Sequence, residues 1–223
     1  MTYLQVVNNV LRRLRENEVT SVSDTRYSKM VGDYVNDALS LVEDAWDWTQ
    51  LRQVVDIATV DGTDTYTLTG SGQNPKVLSV YNNGRGNALE RATPQFMDFQ
   101  KNSTSATSGS PRFYSFRGYD SGNARVEVHP TPEAVETLRF NVVVRQGLVT
   151  ADATEIKVPV NPVIHLAIAL LARERGETGG TSTAEYFTIA DRHLSDAIQM
   201  DYRLVEGELD WNAGYVWESN TVN

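Results

Sequence analysis

The chain has 223 residues, 40% of them apolar and 22% charged, with a net charge of -9 and no cysteine. Its acidity (pI near 4.8) argues against wrapping nucleic acid, where affinity comes from lysine and arginine displacing counterions. The missing cysteines remove disulfides, thiolate metal sites and cysteine nucleophiles together and fit a cytosolic setting; no apolar run reaches the ~18 residues of a membrane span, and Met1-Thr2-Tyr3-Leu4 does not open a secretory signal.

Three blocks follow one another with different hydrophobic periods. Leu4, Val7, Leu11 and Leu14 recur at helical steps and predict a short first helix. After the polar stretch Glu16–Ser23, Asp24 is the expected cap of a long second helix. Tyr27, Val31, Tyr34, Ala38, Leu41, Ala45 and Trp48 would share its apolar face, spanning roughly 35 Å.

From about Gln53 to Val160 the period becomes two. Val54–Val60, Asp61-Gly62 and Thr63–Leu68 carry a hairpin signal, and Asn82-Asn83-Gly84 and Asp120-Ser121-Gly122-Asn123 mark further turns. Leu138, Phe140, Val142 and Val144 alternate along the strongest strand. Pro94–Gln100 suits a helical turn, and Lys101–Pro111 reads as a loop rich in Ser, Thr and Gly.

Helix returns after residue 160. Asn161 is the expected cap, Pro162 the first helical residue, and Gly176 the stop after Arg173 and Arg175. Ser182 and Glu185 form a capping box for a last helix to about Glu206. Gly207–Asn223 has no period but holds Trp211, Tyr215 and Trp217. The expected fold is α+β: a four-helix bundle (1–52 and 161–206) interrupted by an inserted antiparallel β-sandwich or barrel (53–160), with an extended C-terminal tail (207–223).

No residue set points to catalysis. The glycine pairs at Gly70/Gly72 and Gly84/Gly86 lack the Lys-Ser/Thr of a phosphate loop, and Gly-x-Ser-x-Gly is missing. His165 lies among aliphatics and suits a core histidine, while His129 and His193 lie in separate blocks, so neither a metal site nor a cofactor is expected. An enzyme such as a cell-wall hydrolase would need a paired acid and base, and Glu90, Asp98, Glu127 and Glu136 show no convergence.

Docking is better signalled. Residues Val163–Ala172 are apolar on nearly all sides, so either the β domain or a neighbouring subunit must cover what the bundle does not; the limited interior of a small bundle favours a subunit interface at Ile164, Ile168 and Leu171. Asp33, Asp37, Asp44 and Asp47 share a narrow sector of the second helix; they form either a solvated face or the wall of a channel that repels DNA phosphate. The aromatic tail either folds back on its own bundle or docks on a partner.

The run Tyr3–Arg15, with Asn36-Asp37-Ala38 and Glu43-Asp44-Ala45-Trp46-Asp47-Trp48, resembles the opening of head-to-tail adaptor (connector) proteins of tailed bacteriophages, of the short-tailed type that joins a helical bundle to a β insertion. The resemblance implies a virion neck component, assembled in the host cytoplasm, that forms a twelvefold ring under the portal protein. Helices would pack between subunits, the β domain would meet the tail nozzle, with Lys101–Pro111 as the candidate contact, and Trp211, Tyr215 and Trp217 would anchor on the portal. DNA would pass without specific binding, and no membrane is involved. The alternative is a glycan- or receptor-binding β module of a tail, for which Tyr114, Phe116 and Tyr119 are the one aromatic cluster.

Overall fold

A computed structural model describes residues 1–102, 108–176 and 183–205. The protein is α+β, and the chain divides into two compact units, Met1–Arg52 with Arg145–Val205, and Gln53–Val144.

In the first unit α1 (Tyr3–Arg13) opens on a capping box, Thr2 and Gln5 each serving the other's backbone amide. α2 (Arg26–Ala45) is capped by Thr25 rather than Asp24. The Asp24 carboxylate instead accepts from the Thr20 and Ser21 amides and the Thr20 hydroxyl, each at 2.8 Å, and closes the preceding turn. These bonds hold its pKa below the ordinary carboxylate value. The buried side of α2 runs through Ser28, Val31, Gly32, Val35, Ala38, Leu39 and Val42, one position off the expected stripe, so Leu41 and Ala45 face solvent. Gly32 permits a close crossing with α1: a Cβ there would lie 2.5 Å from the Tyr3 hydroxyl and 2.8 Å from Val22. Tyr3 itself is pushed up to about 12 by burial and by Asp33.

Beyond α2 the chain leaves the helix, and Trp48 turns in, fully buried, its indole donating to the Val42 carbonyl (2.7 Å). A short 3-10 turn, Thr49–Leu51, leads to the sheets. α4 (Val160–Arg175) starts at Val160 after Pro159, which offers no side-chain cap, so Asn161 and Pro162 lie inside the helix. It ends as expected at Gly176, whose φ of +63° is open to glycine without strain. α5 (Thr183–Val205) completes the described helices, and α4 packs against α1, α2 and α5.

Residues 145–159, expected in the β domain, belong to the helical unit. Their polar backbone is satisfied there: the Gln146 amide donates to Glu43 (3.1 Å), the Val149 amide to Asn36 (3.0 Å), and the Ile156 amide to the Met1 carbonyl (3.0 Å). Desolvation raises the Glu43 pKa despite the Gln146 amide.

The second unit holds β1 (Arg52–Ala58), β2 (Thr65–Thr67), β3 (Lys76–Asn82), β4 (Asn87–Ala88), β5 (Glu90–Arg91), α3 (Pro94–Asn102), β6 (Phe113–Asp120), β7 (Asn123–His129) and β8 (Thr137–Val143). They form two four-stranded sheets, β1-β8-β3-β4 and β2-β7-β6-β5, and no closed barrel among the described residues. The expected hairpin across Asp61-Gly62 is a corner between sheets, since β1 and β2 fall in different ones; Tyr66 fixes it by accepting from the Val60 amide (3.0 Å) and donating to the Thr63 carbonyl (2.5 Å). Asp120–Asn123 is a true two-residue hairpin turn, with positive φ at Ser121 and Gly122. β5 pairs with β6 in parallel. Both sheets feed one core in which Leu68, Val126, Val128, Leu138, Phe140 and Val142 are fully buried, each contributing about 1.5–3 kcal/mol of apolar burial.

Candidate docking surfaces

The surfaces of the helical unit follow from how each helix spends its apolar residues. On α4, Ile164, Ile168 and Leu171 are 1, 6 and 0% exposed. They are buried within the chain itself, where α4 packs against α1, α2 and α5, which corrects the expectation that a second subunit must cover them; the exposed residues of α4 are polar, Asn161, Arg173 and Glu174.

α5 is the converse. Over 23 residues only Ala190 and Asp201 are buried, while Met200 and Leu204 are 69 and 67% exposed. These two line an open cleft of about 470 Å³ with Ala197, His193, Asp196 and Pro162. Asp201, which the helical pattern does not single out, fastens this helix: its carboxylate accepts from the Trp46 indole (3.0 Å), the Thr49 amide (3.1 Å) and the Thr49 hydroxyl (2.6 Å). A buried carboxylate with three donors is stable where an unpaired one is not.

The three histidines do not form a metal site, and no group of three His, Cys, Asp or Glu among the described residues could hold a metal ion. His165 and His193 stack with ring centroids 4.1 Å apart. Arg13 Nη1 lies 2.8 Å from His165 Nε2; a guanidinium can only donate, so this nitrogen accepts and the ring is neutral. Burial, then Arg13 and His193, lower the His165 pKa to about 4. Burial also lowers that of His129, on β7 of the other unit.

Asp33, Asp37 and Asp44 are exposed on one side of α2, and Asp44 pairs with Arg145. Asp47 lies past the helix end and is half-buried. Trp211, Tyr215 and Trp217 lie outside the described residues, as do Ser182 of the expected capping box and residues 103–107 of the expected loop. Lys101 and Asn102 of that loop are in fact the last turn of α3.

In the β unit the carboxylates are engaged with cations or exposed. Glu127, buried, accepts from Lys101 and from Arg117 Nε (2.5 Å), Lys101 also pairs with Asp64, and Arg117 with Asp98. Desolvation opposes it, yet the Lys101 contact holds the Asp64 pKa low. Glu136 accepts from Asn82, Ser110 and Arg85, and Glu90 is exposed. Of the aromatic cluster, Tyr114 is buried edge-on against Phe116 and Phe140, Phe116 is half-buried near Arg91, and Tyr119 alone is exposed. These three rings do not make a flat platform for a sugar.

A family model for SU10 adaptor protein matches residues 1–210. The chain belongs to the SU10 adaptor protein family, a family of phage head-to-tail adaptors. Among solved structures, a chain from the neck of an empty GTA particle, computed with C6 symmetry, is 14% identical, covering 83% of this chain and 87% of its own with a TM-score of 0.28. No curated protein matches. No helix among the described residues is long and apolar enough to cross a membrane.

Proposed function

We propose that this chain is a structural head-to-tail adaptor: twelve copies form a ring under the phage portal, link it to the tail nozzle and continue the DNA channel. The family match over residues 1–210, spanning both compact units, carries this reading. The chain makes and breaks no covalent bond; its work is to hold two assemblies together. The helices form a four-helix bundle in the ring, and the β unit meets the next tail component.

The portal contact is the C-terminal tail with Trp211, Tyr215 and Trp217. α5 runs into that tail, so Met200 and Leu204 on its last turns, already in water, extend the same surface. Buried aromatic anchors of this kind typically cost ~2 kcal/mol or more each when removed. Mixing the chain with portal rings of its phage and weighing the product tests the reading. The full chain binds the ring, and a variant lacking 207–223 binds at least tenfold more weakly. A full chain that ignores the portal refutes the adaptor reading; unchanged binding of the truncated variant refutes the tail's part in it.

A further inference from the structure

The solvent side of α2 is a second open surface. Asp33, Asp37, Ser40, Leu41 and Asp44 are exposed there, three, four or seven positions apart. The segment following Arg145 is tied to the same helix by the Gln146 amide on Glu43 and the Val149 amide on Asn36. Leu148 lies between these two bonds and is 77% exposed, and Leu41 is 52% exposed. Two large aliphatics are thus held in water beside a row of carboxylates. Asp44 shares its charge with Arg145, while Asp33 and Asp37 have no cationic partner among the described residues.

The opposite charge lies at another place on the unit. Arg13 donates to the neutral His165 ring, Arg173 lies over the Phe187 ring, and Arg15 is exposed. None of the three has a carboxylate partner among the described residues. Arg175 ties this arginine-bearing end to the start of α2, meeting both Glu16 and Tyr27. Along α2, Tyr27 is about 9 Å from Asp33, about 15 Å from Asp37 and about 25 Å from Asp44, and within one copy no ion pair joins Arg13, Arg15 or Arg173 to any of these carboxylates.

We infer that the α2 face, with Asp33, Asp37, Leu41, Asp44 and Leu148, receives the arginine-bearing end, with Arg13, Arg15 and Arg173, of a second copy of this chain. Charge complementarity selects that occupant, and the two leucines supply an apolar centre. A contact between two different patches is heterologous, so it repeats from copy to copy and closes into a ring when the rotation allows. The inference rests on the ring reading above and names its contact; it places the α2 carboxylates between subunits and not on the channel wall.

A charge-swap experiment on the full chain tests it. One variant carries Asp33→Arg and Asp37→Arg, the other Arg15→Glu and Arg173→Glu; all four positions are exposed, and an unchanged melting curve verifies folding. Chemical cross-linking, alone and on portal rings, reads the copies joined, and capture by the portal is measured beside it. The wild type gives cross-linked multimers that weaken several-fold as salt rises from about 50 to 500 mM. Each variant alone loses them at least tenfold, and mixing the two restores them, because each supplies the sign the other lacks. Variants that multimerise like wild type, a mixture that restores nothing, or intact rings with altered DNA passage each overturn the inference. Normal portal capture of copies that never join overturns this contact alone, whereas loss of capture by the wild type removes the adaptor reading.

Discussion

α4 and α5 lie side by side in one unit and use their apolar residues in opposite ways. α4 is apolar nearly all round and is sealed, with Ile164, Ile168 and Leu171 inside the chain's own core. α5 is amphipathic and packs on α4 by one side, burying Ala190 and Asp201 and leaving Met200 and Leu204 in water. Hydrophobicity therefore locates the core, and the mismatch between apolar content and burial marks the surface proposed for docking. The consequence for stability is direct: α4 should be intolerant of change, and the outer side of α5 should tolerate it and lose only assembly.

Five variants sharpen that contrast. The largest effect is expected in sealed positions: Leu171→Ala should cost about 2–5 kcal/mol in urea unfolding, and Phe140→Ala in the β core about 3–5 kcal/mol. Next comes the clamp on α5. Asp201→Ala strips three donors of their acceptor and should cost about 1–3 kcal/mol, with Trp46 fluorescence reporting the loosened helix; an unaltered Trp46 signal would deny the clamp.

Acid should act on the same seam. His165 titrates near 4 in the folded chain against an ordinary 6.5, so between those values the unfolded chain holds more protons and stability rises with pH. Taking the protein from pH 7 to pH 5 should remove on the order of 1 kcal/mol after solvent screening. His165→Gln should remove that part of the pH dependence, and an identical slope in the variant would contradict the geometry.

The smallest stability effect is expected on the open side. Met200→Ser with Leu204→Ser should stay within about 0.5 kcal/mol of wild type, yet weaken portal capture severalfold. A large loss of stability would mean that this face is not a free surface.

Much of the fold was legible in the residues. Period two through Leu138, Phe140 and Val142 marks a strand whose side chains enter the shared core, and Gly176 ends α4 where a left-handed residue was required. What was not legible depends on long-range partners. Thr25 rather than Asp24 caps α2 because Asp24 is taken by Thr20 and Ser21. Residues 145–159 alternate too weakly to show that they bind α2 and the N-terminus, which only Glu43, Asn36 and Met1 reveal. Gly32 looks like a flaw in a helix until Tyr3 and Val22 are seen against it. The site was harder: an all-apolar helix and a sealed core helix have the same sequence signature, so Ile164, Ile168 and Leu171 could not be told from an interface, and Asp201 could not be told from a solvated aspartate.

The most direct measurement is electron cryomicroscopy of the neck of the phage particle. The helical and β units of this chain should be found as a ring between portal and tail, with the last turns of α5 against the portal and α4 enclosed within each copy. Density for the chain at the distal tip of the tail, or at the neck with α4 opened against a neighbour, would contradict it.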